Sequence, residues 1–176
     1  MYFVRLVIAC AMLLLGTKAS KPLTFNLPSS DSASRERMSA LITTHIKSLF
    51  ENRKEIPYIS SGYAGVKFYY NQPKHTTIMQ YGDAQIHYNV YVRNNSSKTY
   101  SHTFSIINRS SDTSVAAEVI IKLFQNKMSF SAKQKGEMTN ISYDLINKLE
   151  QAIIDLSKTT AELDEYQYKR LVQYVK

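Results

Sequence analysis

The chain has 176 residues, which is enough for one domain with a hydrophobic core. It carries 22 Lys and Arg against 14 Asp and Glu, a formal net charge of +8, and this balance favours polyanionic partners such as nucleic acid or acidic lipid. The single cysteine, Cys10, excludes an internal disulfide, and five glycines leave little room for a glycine-rich phosphate loop.

The N-terminus has the pattern of a secretory signal peptide. Arg5 supplies the positive end, an apolar run covers Leu6 to Leu15, and small residues follow near Ala19. The apolar run is too short to span a bilayer as a helix. We therefore expect cleavage after residues 1–19, secretion of a single domain over residues 20–176, and no stable membrane insertion.

The next stretch predicts a strand, a helix and then further strands. Lys21–Pro28 is expected to form a short strand, and Asp31, Ser32 or Ser34 can cap the helix of about 18 residues that follows. The apolar residues of this helix recur at helical spacing: Met38, Leu41, Ile42, Ile46, Leu49 and Phe50. The segment NRKEIPYISSG is expected to turn the chain. Strands are then predicted at Val66–Tyr70, Thr76–Tyr81, Ala84–Arg93 and Thr99–Ile107.

The strand at Ala84–Arg93 alternates with period two. One face carries Ile86, Tyr88, Val90 and Val92, and the other carries His87, Asn89, Tyr91 and Arg93. We expect the first set to be buried. Tyr91 is then a bulky aromatic on a polar face. Such a side chain can stack against a nucleobase, or it can simply pack with its hydroxyl at the surface.

The apolar spacing then changes to that of helices. A second helical stripe has Val115, Val119, Ile120, Leu123 and Phe124; a third has Leu145, Leu149, Ala152, Ile153 and Leu156; a fourth has Tyr168, Leu171, Val172 and Val175. The segment KQKGEMTN separates the second stripe from the third. We therefore predict an α+β fold, with an N-terminal mixed or antiparallel sheet and a flanking helix, followed by a helical C-terminal part.

The histidines form no recognisable metal-binding motif. None of the four histidines has metal-ligand spacing with an acid: His45, His75, His87 and His102. The motifs HExxH and GxSxG do not occur. We therefore expect no metal and no cofactor. Four asparagines lie in Asn-x-Ser/Thr triplets that could carry glycans: Asn94, Asn95, Asn108 and Asn140.

Several segments, in order along the chain, resemble one known family. The strand LTFNL leads into a helix and then RKEIPYISSG, and NVYVRNNSSKTYSHTF is similar to a family segment NxYVxGYRxGxxxYFF. The helix-like TSVAAEVIIKLF follows, NISYDLINKL is similar to GNYxxLxxxAG, and IIDLSKTTAELDEYQYKRLVQY is similar to IxLGxxxLxxAIxxLxxY. The family is that of the ribosome-inactivating proteins, which includes ricin A chain, trichosanthin and Shiga toxin A. The co-linear order, over essentially the whole mature chain, carries the resemblance.

This resemblance implies a function and two site residues. Members of the family are rRNA N-glycosylases that remove one adenine from the sarcin-ricin loop of large-subunit rRNA and so inhibit translation. Tyr91 and Tyr143 fall on the two tyrosines between which the adenine stacks. The resemblance therefore implies a secreted, monomeric toxin whose partner is ribosomal RNA, with no metal or cofactor.

The catalytic glutamate and arginine of the family lie in an S-E-A-x-R helix beyond the second tyrosine. The preferred alignment places that helix after Lys176, which leaves the pair incomplete. An alternative alignment makes Glu162 the acid, but Glu165 then stands at the arginine position, and Glu162 follows Tyr143 too closely for the intervening helices.

The competing hypothesis is a non-catalytic secreted binding or effector protein of small α+β fold. A structure that places Tyr91 and Tyr143 on opposite sides of the fold favours this second hypothesis.

Overall fold

The computed structural model describes residues 22–60, 70–94, 97–108 and 114–161. These residues form seven strands and two helices. In chain order the elements are β1 (Leu23–Asn26), α1 (Ser32–Ser48), β2 (Arg53–Pro57), β3 (His75–Tyr81), β4 (Ala84–Arg93), β5 (Thr99–Asn108), β6 (Val115–Phe124), β7 (Lys127–Gln134) and α2 (Asn140–Ala161).

All seven strands belong to one antiparallel sheet in the order β1-β7-β6-β5-β4-β3-β2. The five strands from β2 to β6 are each paired with the next strand along the chain. β1 lies at one edge, against β7, and β2 lies at the other. The helix α1 joins β1 to β2, so the chain crosses from one edge of the sheet to the other through α1.

Both helices pack on one face of the sheet, which we call the inner face. Alternate residues of the central strands point to this face, as the period of a strand requires. Tyr88 pairs with Phe104, Phe104 with Val119, and Val119 with Ala132, and all four are buried in the core. The helices contribute Met38, Ile42, Ile46, Leu145, Ile146, Leu149, Ala152, Ile153 and Leu156.

Each helix begins at a side chain that caps it. The Asp31 carboxylate accepts from the backbone N–H of Ala33 at 3.0 Å, as expected of an N-cap. At the start of α2, the Ser142 N–H donates to Thr139 Oγ1 and the Thr139 N–H donates to Ser142 Oγ, both at 3.3 Å. This reciprocal pair satisfies two N–H groups that the helix itself cannot.

The prediction of a helical C-terminal part is wrong. The second predicted helix, Val115–Phe124, is the strand β6, and β7 follows it and extends two residues into the predicted break. The two strands extend the antiparallel sheet to seven strands, so most of the chain beyond β5 and before Asn140 is sheet and not helix.

The misassignment of β6 has a physical cause. The residues buried on the inner face are Ala117, Val119, Ile121 and Leu123, which alternate, but Ala116 on the opposite side is buried as well. A central strand with apolar residues on both sides reads as a continuous apolar run, and such a run also matches helical spacing. The segment Arg53–Pro57, expected as a turn, forms the edge strand β2.

Other elements agree with the sequence. The first helix is confirmed as α1, the strand Ala84–Arg93 is confirmed as β4 with the same bounds, and the third helical stripe lies within α2. The signal segment 1–19, nearly all of the predicted strand Val66–Tyr70, and the fourth predicted helix lie outside the described residues.

Candidate functional site

The structure does not bring Tyr91 and Tyr143 together. Tyr91 lies on β4 between Val90 and Val92, so it points to the face of the sheet opposite α1 and α2, which we call the outer face. Tyr143 lies in the first turn of α2, and α2 packs on the inner face. The sheet therefore stands between the two side chains.

Tyr91 is fully buried, and its surroundings leave no ring face open for a base. Its exposed fraction is 0%. The ring of Tyr58 lies edge-on to it, with centroids 6.0 Å apart and planes at 85°, and the two hydroxyls are 2.9 Å apart. The polar-face tyrosine thus packs against a neighbouring tyrosine, but its hydroxyl bonds to that neighbour and does not lie at the surface as the packing alternative expected.

Other candidate residues have simple placements. Glu162 lies outside the described residues, as does Asn95. Asn108 is only 5% exposed, and its amide donates to the Glu137 carbonyl at 3.0 Å while its oxygen accepts from Ser142 Oγ at 2.7 Å. Asn108 therefore anchors the end of β5 to the start of α2 and is not suited to carry a glycan, whereas Asn94 and Asn140 are exposed.

A buried hydrogen-bonded network joins α1 to the inner face of the sheet. His102 on β5 is fully buried; its Nε2 lies 2.8 Å from Ser39 Oγ on α1, and its Nδ1 lies 2.6 Å from the Tyr88 hydroxyl on β4. The same hydroxyl lies 3.0 Å from Thr43 Oγ1, one turn further along α1. Tyr88 stacks between Phe104 at 4.5 Å and His102 at 5.9 Å between centroids.

The hydrogen bond between Ser39 and His102 resembles that of a catalytic serine and its histidine base, but both side chains are inaccessible to a substrate. Ser39 is 4% exposed and His102 0%, so no substrate atom can reach the serine oxygen. Burial lowers the pKa of His102 to about 3, which keeps the imidazole neutral, with one nitrogen donating and the other accepting. The network therefore holds α1 in register on the sheet.

The outer face has a different composition. Between β4 and β6, the outward residues of β5 are small hydroxyl side chains: Ser101, Thr103 and Ser105. The cations that point outward from the strands are Lys54, Arg93, Lys122, Lys127 and Lys133. Among the described strand residues, Glu118 is the one acid on this face, and its carboxylate pairs with Lys135 at 3.5 Å.

The cations concentrate at one end of the outer face. Phe124, at the end of β6, is 41% exposed and lies directly opposite Lys127 on β7, while Lys122 precedes it by two residues on the same side of β6. Arg93 ends β4 two strands away, about 10 Å at ordinary strand spacing. We call Arg93, Lys122, Phe124 and Lys127 the basic patch.

The lysines of the basic patch are available to an anion. Lys122 and Lys127 are exposed, and neither forms an ion pair with any residue that the structure describes. Lys122 lies opposite Ser101 on β5, which is buried, and opposite Ser129 on β7, which is partly exposed. An exposed aromatic ring between two unpaired lysines can stack against a base while the ammonium groups contact phosphates.

His87 also lies on the outer face, on β4. Burial lowers the pKa of His87, so the imidazole is neutral at pH 7, and its Nε2 lies 3.1 Å from Gln85 Oε1. Within the described parts of the chain, no three His, Cys, Asp or Glu side chains gather into a group that could hold a metal ion. The helices of these parts are likewise not long and apolar enough to cross a membrane.

The sequence alone did not indicate the basic patch or the hydrogen-bonded network around His102. Phe124 was counted in a helical core stripe, and Lys122 and Lys127 could be joined to it only once β6 and β7 were known as a hairpin. Nothing near His102 in the sequence indicates its network, because its partner Ser39 is 63 residues away. Comparison of the chain with models of protein families, with curated proteins and with solved structures found no match.

Proposed function

We propose that this chain is a non-catalytic secreted protein that binds single-stranded nucleic acid through the basic patch. The observation that carries the proposal is the position of Phe124, an exposed ring set between Lys122 and Lys127 at the end of the β6–β7 hairpin. Stacking on aromatic side chains and contact of cations with the backbone are the two means by which proteins bind single strands without reading sequence.

Charge supports the choice of partner. The chain carries an excess of cations, and the described strands place Lys122 and Lys127 on the outer face with no acid near them in the strand register. Glu118, the one acid on that face, lies four residues before Lys122 along β6 and is paired with Lys135. A sulfated polysaccharide would match the lysines but would leave the exposed aromatic ring without a role.

The non-catalytic part of the proposal rests on the placement of the two candidate stacking residues. Tyr91 is covered by Tyr58 on the outer face, and Tyr143 belongs to a helix on the inner face. One adenine cannot stack between side chains that the sheet separates. The signal-like segment 1–19 supports secretion.

The test is binding of a fluorescent uridine oligomer of about 12 nucleotides across a series of salt concentrations. Replacing both Lys122 and Lys127 by Gln should weaken binding and reduce the salt slope by about 0.7 for each phosphate contact that is lost. Phe124→Ala should weaken binding by about 1–3 kcal/mol and leave the salt slope unchanged, because stacking involves no counterion release.

The control is Lys158→Gln, which removes the same charge from an exposed position on α2. It should bind as the unchanged protein does. A heparin competitor separates the two polyanions. Tight heparin binding that is insensitive to Phe124→Ala, with weak binding of the oligomer, would show a sulfated-glycan site and refute the nucleic-acid proposal.

The N-glycosylase function implied by the family resemblance stays a separate prediction. It is checked by adding the protein to eukaryotic ribosomes and measuring free adenine, followed by aniline scission of the rRNA. Adenine release that is lost in Tyr91→Ala and in Tyr143→Ala alike would favour the enzyme over the binding protein. Release that neither change affects would not come from an adenine held between these two side chains.

A further inference from the structure

Arg35, in the first turn of α1, is a buried cation whose hydrogen bonds to the described residues all go to backbone carbonyls. It is 2% exposed. Its guanidinium donates to the carbonyls of Lys98 at 3.1 Å and Gln125 at 3.0 Å, and also to those of Ser30 and Ser97. No carboxylate of the described residues forms an ion pair with it.

The four carbonyls belong to three separate segments of the chain. Ser30 precedes α1, Ser97 and Lys98 precede β5, and Gln125 lies in the turn between β6 and β7. The five N–H donors of a guanidinium form a rigid, planar fork, so one Arg35 side chain can hold three segments in a fixed arrangement.

Two of the carbonyls come from unusual backbone. Lys98 has φ of 32° and Gln125 has φ of 54°, and these are the two non-glycine residues with positive φ in the described parts of the chain. Side chains other than glycine rarely adopt this region because Cβ crowds the backbone. Such a conformation persists where surrounding contacts enforce it, and here Arg35 supplies a contact to each residue.

Both residues adjoin the basic patch. Gln125 directly follows Phe124 and is two residues before Lys127. Lys98 directly precedes Thr99, which pairs with Arg93 across the β4–β5 ladder. The direction in which Arg93, Phe124 and Lys127 leave the sheet therefore depends on two turns whose backbone Arg35 holds.

We infer that Arg35 is a positioning residue for the basic patch, which sets the two turns so that the patch can bind its ligand without reorganising. This inference rests on the proposed function for its ligand. Its physical basis is preorganisation: a site already fixed in the binding geometry does not lose conformational freedom when the ligand arrives.

The binding test uses Arg35→Met and Arg35→Lys in the full chain, with the uridine oligomer as the probe and with folding confirmed by circular dichroism. Both should bind at least tenfold more weakly than the unchanged protein, since lysine keeps the charge but not the fork. Binding by Arg35→Lys at full strength would overturn the inference, because charge alone would then suffice. The control is Arg37→Met, which alters an exposed arginine of the same helix.

A rescue variant separates positioning from general loss of stability. Glycine adopts positive φ without strain, so Lys98→Gly with Gln125→Gly lets both turns keep their backbone conformation when the Arg35 guanidinium is absent. Added to Arg35→Met, the two glycines should restore most of the lost affinity. If they restore stability and leave the affinity low, the inference is wrong.

A readout that needs no ligand keeps the inference testable if the oligomer does not bind. Trypsin cleaves after lysine, and Lys98 and Lys127 mark the two turns. In Arg35→Met both sites should be cleaved at least tenfold faster, and cleavage after Lys158 in α2 should stay unchanged. Equal acceleration at all three sites would indicate global unfolding and contradict the inference. Fast cleavage at the turns without oligomer binding in any variant would refute the proposed function alone.

Discussion

The two faces of the sheet are built from the same strands yet have different properties. On the inner face, Tyr88, His102 and Phe104 are buried, stacked and hydrogen-bonded to α1. On the outer face, Lys122 and Phe124 alternate with the buried residues of the same strand and are exposed. At this end of β6 the face on which a residue lies decides whether its side chain is buried or exposed, whereas on β4 and β5 residues of both faces are buried, Tyr91 and Ser101 among those of the outer face.

The largest expected effect is on the inner face. Phe104→Ala should lower the free energy of unfolding by about 3–5 kcal/mol, because it removes a fully buried ring and leaves a cavity beside Tyr88. The matched change on the outer face, Phe124→Ala, should alter stability by less than about 0.5 kcal/mol. Urea unfolding of both variants checks the comparison. Equal losses would mean that the two faces do not differ as described.

Lowering the pH should reduce the stability of the fold through His102 on the inner face. Burial lowers the pKa of His102 to about 3 from 6.5, so the unfolded chain binds a proton that the folded chain does not. The stability from the neutral imidazole is complete above pH 6.5 and is lost as pH falls from there toward 3. Between pH 6.5 and pH 5 this loss is about 2 kcal/mol.

Glu150 on α2 acts in the opposite sense. Burial raises the pKa of its carboxyl, so the folded chain binds its proton more readily than the unfolded chain, and the contribution to stability grows as pH falls. Urea unfolding of the unchanged protein and of His102→Gln, compared at each pH, separates the two groups. If the difference between them does not change between pH 6.5 and 5, His102 is not the group responsible.

A smaller loss of stability is expected at Tyr91, an aromatic residue of the outer face that Tyr58 covers. Tyr91→Phe removes the hydroxyl that lies 2.9 Å from that of Tyr58, and it should cost about 1 kcal/mol of unfolding free energy. Thermal or urea unfolding measures this loss. Tyr143→Phe, a partly exposed tyrosine on α2, serves as the control and should change stability by less than about 0.5 kcal/mol.

The smallest effect on stability is expected at the lysines. Replacing Lys122 and Lys127 by Gln should leave the urea midpoint within about 0.5 kcal/mol of the unchanged protein, because both side chains are exposed and neither is in an ion pair with a described residue. The same variant should lose affinity for the uridine oligomer. A large loss of stability would show that these lysines support the fold and would weaken the contrast between the faces.

Alternation predicted part of this comparison correctly. The inward and outward residues of β4 follow from its period-two pattern, and α1 follows from its apolar stripe. For β6, buried residues on both sides obscured the period, and Phe124 was assigned to a core. The edge strand β2 carries Arg53, Lys54 and Glu55, whose charges suit an edge but hide the strand signal.

The candidate site could not be assembled from sequence for a different reason. Tyr91 and Tyr143 were linked by matching short segments to a family pattern, and such segments do not specify on which side of the sheet a helix packs. The contacts that place the helices are distant in sequence: Ser142 at the start of α2 bonds to Asn108, 34 residues away, and Ser39 of α1 bonds to His102, 63 residues away. Hydrogen bonds between residues so far apart produce no periodic pattern in the local sequence.

The position of β1 has a consequence for how the chain reaches this structure. Leu23, near the start of the sheet, pairs with Phe130 on β7, whereas the hairpins between β3 and β7 join neighbouring segments. During synthesis, at about 5–20 residues per second, β1 therefore waits several seconds for its partner to emerge. Until it docks, the edge of β7 is open, and a strand from another nascent chain can pair there instead.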